Sequence, residues 1–168
     1  SIVHGHAQVL LAEKSHYPKV EYLRRVSLEY EKQYGSNYFE DLYAVHLALE
    51  LAGEKDGLRW LAYLTPVKEK ELMILAPNLE NCFTSDLYDL LACYIGPLGV
   101  SSFNLSLALP ALEPTAESWE HFPYLLRVVD RGNPLSKISD IGAMELYAAS
   151  VVASDPFGVA QTVRDTLV

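Results

Sequence analysis

Apolar and polar positions divide the chain into short strand-like and helix-like stretches. From Val3 to Ala12, Val3, Gly5, Ala7, Val9 and Leu11 alternate with His4, His6, Gln8 and Leu10. A period of two predicts a strand, with both histidines and Gln8 on one face. From Pro18 to Tyr34 the period lengthens. Val20, Leu23, Ser27, Tyr30 and Tyr34 form a stripe, and Arg24, Arg25, Glu29 and Lys32 fall outside it, as in an amphipathic helix. Pro18 suits the first turn and Gly35 the stop. A second helix is predicted from Tyr38 to Leu51, with Phe39, Leu42, Tyr43, His46 and Leu49 on one face and Gly53 ending it.

Beyond Gly53 the chain returns to strands. Arg59 to Leu64 and Glu71 to Ala76 read as a pair separated by a charged turn. Thr84 and Ser85 are capping candidates for a helix carrying Leu87, Leu90, Leu91 and Tyr94. Two more strands follow, Ser102 to Leu109 and Phe122 to Asp130, the second with Arg127 embedded in it, and then the turn Arg131-Gly132-Asn133-Pro134. Asp140 is placed to cap a helix through Met144 and Tyr147, and Asp155-Pro156 opens a last helix with Val159, Ala160, Val163 and Leu167 inward. Strands grouped in this way predict an α+β fold with a mostly antiparallel sheet flanked by helices.

Composition narrows the function classes. Half of the 168 residues are hydrophobic, enough for one core, and residues 1–168 read as a single domain. The net charge of −9 argues against nucleic acid as a partner, because nothing offsets phosphate repulsion. One small phosphorylated ligand is compatible with it. The two cysteines, Cys82 and Cys93, lack the spacing of a disulfide framework or a zinc knuckle, and a reducing, cytoplasmic location is the expectation. No apolar run is long enough for a bilayer, so no membrane partner is expected.

His4-Gly5-His6-Ala7-Gln8-Val9-Leu10-Leu11 is the stretch that carries chemistry. A strand would set its three polar side chains about 7 Å apart at each step. Imidazole is a good nucleophile near neutral pH and can leave from a phosphoramidate. An amide two residues on can donate to a phosphoryl oxygen as its charge grows. Of the remaining histidines, His46 on its apolar face reads as a satisfied core or interface residue, and His16, just before a helix, as solvated. Arg127 reads as one member of an ion pair, with phosphate binding as the alternative.

The His-x-His-x-Gln stretch resembles the active-site motif of galactose-1-phosphate uridylyltransferases, a branch of the histidine-triad superfamily, where it reads His-Pro-His-Gly-Gln. Glu71-Leu72-Met73-Ile74-Leu75-Ala76-Pro77 is similar to that family's Glu-Thr-Leu-x-x-x-Pro strand, and Trp119-Glu120-His121-Phe122-Pro123-Tyr124 to its later strand with paired histidines. Ile141-Gly142-Ala143-Met144-Glu145 resembles its Gly-x-Glu segment, and Arg164 its basic residue in the last helix. The resemblance implies a histidine-triad-like fold corresponding to the carboxyl-terminal part of a longer two-half protein. It implies a nucleotidyltransferase in which His6 becomes nucleotidylated and Gln8 holds the transferred phosphoryl group. His4 would orient the site or bind a structural zinc, and Arg127 and Glu145 would touch substrate. The implied partners are a nucleotide or nucleotide-sugar and a sugar phosphate, in a homodimer. Gly5 stands in place of the family's Pro, and only His121 remains of the paired histidines. The alternative is a non-catalytic nucleotide-binding or dimerisation domain of the same fold.

Overall fold

Proline opens the first helix and glycine closes it. In the computed structural model, which describes residues 5, 7–13, 16–79, 83–133, 135, 150–151 and 155–167, α1 spans Pro18–Tyr34, and Gly35, at φ +71°, donates its backbone N–H to the Glu31 carbonyl at 2.7 Å. A left-handed residue in this position is an ordinary helix stop. Helix α2, Tyr38–Ala48, starts from Asn37, whose side-chain oxygen accepts from the Phe39 and Glu40 N–H groups. It ends earlier than the pattern implied. Glu50 takes φ +60° and Leu51 N–H bonds back to the His46 carbonyl.

Gly53 therefore ends no helix. It lies in β1, Ala52–Lys55, which Asp56 and Gly57, both at positive φ, turn into β2, Leu58–Ala62. Asp-Gly is the two-residue hairpin signal, because both positions tolerate left-handed backbone. Gly53 is needed for space: a Cβ there would lie 2.5 Å from Cζ2 of Trp60, its cross-strand partner. The remaining elements are β3 (Leu72–Ala76), α3 (Phe83–Ile95), β4 (Phe103–Ala108), β5 (Tyr124–Asp130) and α4 (Pro156–Leu167). Thr84 and Ser85 lie inside the first turn of α3 instead of capping it. Asp155 does cap α4, accepting from Gly158 N–H at 2.8 Å.

The five strands form one sheet in the order β1-β2-β3-β5-β4, every neighbour antiparallel. Helices cover both faces, so the fold is α+β, as expected. One face buries Trp60, Ile74, Leu126 and Val128 beneath Leu90 and Tyr94 of α3 and Val159 and Val163 of α4. The other buries Leu61, Met73, Leu75 and Leu125 beneath Phe39 and Tyr43 of α2, with Val20 and Leu23 of α1 against them. Burial on both faces explains why β3 reads as a continuous apolar run instead of alternating.

The expected first strand is corrected. Gly5 and residues 7–12 belong to no strand, and Val9, Leu10 and Leu11 are exposed. Alternation supplies the side chains of a strand but no ladder partner, and an unpaired extended segment gains no backbone hydrogen bonds over water. The expected helix through Met144 and Tyr147 lies outside the described residues.

Candidate functional site

Of the motif, Gln8 is described: it is exposed in irregular chain, with no hydrogen-bond partner among the described residues. His4 and His6 lie outside them, as does Glu145. His16, just ahead of α1, is nevertheless anchored. His16 sets its ring edge against Trp119, centroids 4.9 Å apart, and places Nε2 3.7 Å from the Glu117 carboxylate. It is half-buried, not solvated, because the indole offers apolar cover and the carboxylate a partner.

Arg24 strengthens this anchor. Outside the helix stripe by pattern, it is 5% exposed. A guanidinium is buried only when its charge is met. Its Nε and Nη2 donate to both Glu21 oxygens at 2.7 and 2.8 Å, Nη1 donates to the Ser118 carbonyl at 2.9 Å, and the plane covers the Trp119 ring. Hydrogen bonds from Arg24 and Arg25 hold the Glu21 carboxyl at about 2. His121, exposed and at φ +60°, lies 3.1 Å from the Glu31 carboxylate of α1.

A second polar centre lies on the sheet face under α1 and α2. Arg127 follows Leu125 by two residues, so it points to that face, between Met73 on β3 and Ser106 on β4. Glu71, immediately before β3, meets it. Arg127 Nε donates to Glu71 Oε1 at 2.5 Å and Nη2 contacts the same oxygen, while Val67 N–H donates to Oε2 at 2.7 Å. Both carboxylate oxygens are thus satisfied, as full burial of Glu71 requires. The ion-pair reading of Arg127 is the one the geometry fits.

Aromatic and basic groups ring the pair. The Arg127 guanidinium lies 5.9 Å from the Tyr63 ring centroid. Burial, with the Tyr63 hydroxyl beside it, pushes Tyr38 up to about 12. Burial and the Arg127 charge lower the Lys19 ammonium, partly offset by Glu71. His46 stacks on Tyr63 with centroids 5.7 Å apart. Its Nδ1 donates to the Leu42 carbonyl at 2.8 Å, which leaves Nε2 to accept Leu64 N–H at 3.3 Å. Burial lowers its pKa, so the ring is neutral and fully used, as its apolar setting implied.

Gln8 and Arg127 share no hydrogen bond. Among the described residues no three His, Cys, Asp or Glu side chains are grouped to hold a metal ion. A cleft of about 330 Å³ opens between the start of α4 and the β3 approach, lined by Tyr63, Lys70, Glu71, Leu98, Asp155 and Gly158, so it shares Tyr63 and Glu71 with the Arg127 centre.

Solved structures share this fold. A uridylyltransferase structure superposes with a TM-score of 0.68 at 14% identity, over 91% of this chain and 52% of that one. The fold is uridylyltransferase-like. A uridylyltransferase mutant matches with a TM-score of 0.66 at 16% identity, over 91% of this chain and 54% of the other. At these identities the likeness is one of fold. The chain spans about half the length of either neighbour. No protein-family model matches it, and no curated protein sequence gives a significant match.

Sequence reasoning missed Glu71 as part of a polar centre. Glu71 entered only as the first letter of a strand motif. Its partner is 56 positions away, and only the strand register brings them together.

Proposed function

We propose that the protein is a nucleotidyltransferase resembling galactose-1-phosphate uridylyltransferases, acting as the carboxyl-terminal part of a longer two-half, histidine-triad-like protein. The observation that carries this reading is a coincidence of two independent likenesses. His4-x-His6-x-Gln8 is similar to that family's motif, and the backbone superposes on uridylyltransferases over 91% of the chain.

In this mechanism a neutral His6 ring nitrogen attacks the phosphorus of a nucleoside diphosphate sugar. An N–P bond forms, the P–O bond to the sugar phosphate breaks, and the sugar phosphate leaves with the electron pair. A second sugar phosphate then attacks the same phosphorus and releases His6. Splitting transfer between two anions into two displacements gives each a good leaving group. Gln8 donates to the phosphoryl oxygens as charge develops. His4 orients the site or holds a structural zinc, and Arg127 and Glu145 bind substrate. The active form is a cytoplasmic homodimer.

Mass spectrometry of the full-length protein after incubation with a nucleoside diphosphate sugar or a dinucleoside polyphosphate tests this. A nucleotidyl adduct on His6, absent from His6→Ala, is expected. Full activity in His6→Ala, or no adduct with any donor, would overturn the covalent mechanism. One observation favours a second reading, a non-catalytic nucleotide-binding or dimerisation domain: Gln8 sits in exposed, unpaired chain, whereas a catalytic donor works by being held in place.

A further inference from the structure

The sheet is finished differently at its two edges. At one end β1 is four residues long and closes on Glu54 and Lys55. A short strand that carries charge is an ordinary way to keep an edge from pairing with more chain. At the other end β4 is six residues long, and its four central residues are exposed. It has none of those guards. No charged residue lies between Asp89 and Glu113, and no proline lies within the strand. Among the described residues no strand lies beyond β4 in the sheet.

The register tells which groups are left over. Arg131 N–H donates to the Ser102 carbonyl at 2.8 Å. Successive residues of an antiparallel strand alternate in the direction of their backbone groups. Asn104 and Ser106 therefore also face β5, and Leu105 and Leu107 direct N–H and C=O outward. The side chains of these two leucines share a face with Val128 and Leu126, their cross-strand partners, and stay 40% and 39% exposed. A second piece of chain also lacks a partner. Residues 7–12 alternate as a strand does but join no ladder among the described residues, and Val9 and Leu11 are 96% and 80% exposed. The chain meanwhile spans about half the length of the uridylyltransferases whose fold it shares.

We propose that the outer edge of β4 is the docking surface for a strand of the other half of a longer protein, which continues the sheet across the join and supplies the ladder partner that residues 7–12 lack. Backbone groups give such a contact its affinity, and the exposed leucines give it apolar area. One occupant then accounts for both unpaired pieces. Pairing residues 7–12 would also hold Gln8 in place, as a catalytic donor must be held. This rests on the two-half reading and not on the covalent mechanism.

Hydrogen exchange in the full-length protein, resolved to single amides, tests it. Leu105 and Leu107 should exchange at least about a hundredfold more slowly than unstructured chain, in step with Asn104 and Ser106, and residues 7–12 should be protected too. An alternating pattern, slow at Asn104 and Ser106 and fast at Leu105 and Leu107, is the mark of an open edge and overturns the proposal, as does free exchange throughout residues 7–12. A benzophenone side chain introduced at position 105 identifies the occupant. Photo-crosslinking within one polypeptide, to chain outside residues 13–168, is expected. A cross-linked dimer, or a link back into residues 13–168, overturns it. A His6 adduct formed while Leu105 and Leu107 exchange freely would sink the docking surface and leave nucleotidyl transfer standing. Protected amides with no adduct would sink only the covalent mechanism.

Discussion

The two faces of the sheet are built on opposite principles. Beneath α3 and α4 the interior is dry: Trp60, Ile74, Leu126 and Val128 meet apolar helix residues, and the buried Cys93 acts as a small hydrophobe. Beneath α1 and α2 the interior holds an ion pair, a neutral histidine and the tyrosines Tyr38, Tyr43 and Tyr63 among its apolar residues. A dry face gains stability in proportion to area buried. A polar one gains little net stability from its pairs but is damaged by half-removal of any of them. Charge is held more deeply on the second face, where the Arg127 and Glu71 side chains are 17% and 0% exposed, against 33% and 16% for the Lys70–Asp130 pair of the first.

The largest break in this comparison should come from Glu71. Glu71→Ala strands a buried guanidinium and should cost about 3–5 kcal/mol in urea unfolding. The double variant Glu71→Leu with Arg127→Met should recover most of it, since apolar replacement of a whole pair is often near neutral. If the double variant is as unstable as the single one, the pair contributes more than mutual neutralisation. On the dry face, Ile74→Ala should cost about 2–5 kcal/mol, set by how far the cavity collapses, and no second change at a polar position should restore it.

The third test separates the faces by pH. His46 has its pKa lowered on folding, so the unfolded chain takes up a proton first. Its contribution is complete above the unfolded value of about 6.5 and fades as pH falls through the lowered folded value. Protonation would also set an N–H against Leu64 N–H. The unfolding midpoint should fall between about pH 7 and pH 5, by at most about 1.4 kcal/mol per pH unit from this residue, and His46→Gln should flatten that slope. An unchanged slope would assign the dependence to other groups. The smallest effect is at a helix end: Asn37→Ala should cost about 1 kcal/mol, with no pH dependence, by losing the cap of α2.

The difference between the faces also explains what was legible in the chain. Elements with their own punctuation were readable: α1 between Pro18 and Gly35, α4 behind Asp155-Pro156, and β3 as a short apolar run. Gly53 misled because a glycine after a helical pattern usually marks a stop, and here it makes room for Trp60 across a hairpin whose Asp56-Gly57 signal went unread. Residues 7–12 misled because alternation says which side chains share a face and nothing about a neighbouring strand. Arg127 was recognisable as a charge that needed a partner. The identity of that partner is set by the antiparallel register, for which no local pattern exists.

The contact between Gly53 and Trp60 has a consequence for how this chain can change over time. A Cβ at position 53 would overlap the indole, so the residue permitted there depends on the residue at position 60, and the two substitutions cannot be additive. The order of steps matters. A lineage that gains a side chain at 53 first meets the clash with the ring still in place. One that shrinks residue 60 first carries a cavity until 53 fills it. Neither route is neutral, and the pair is a ratchet that tends to hold both residues where they are.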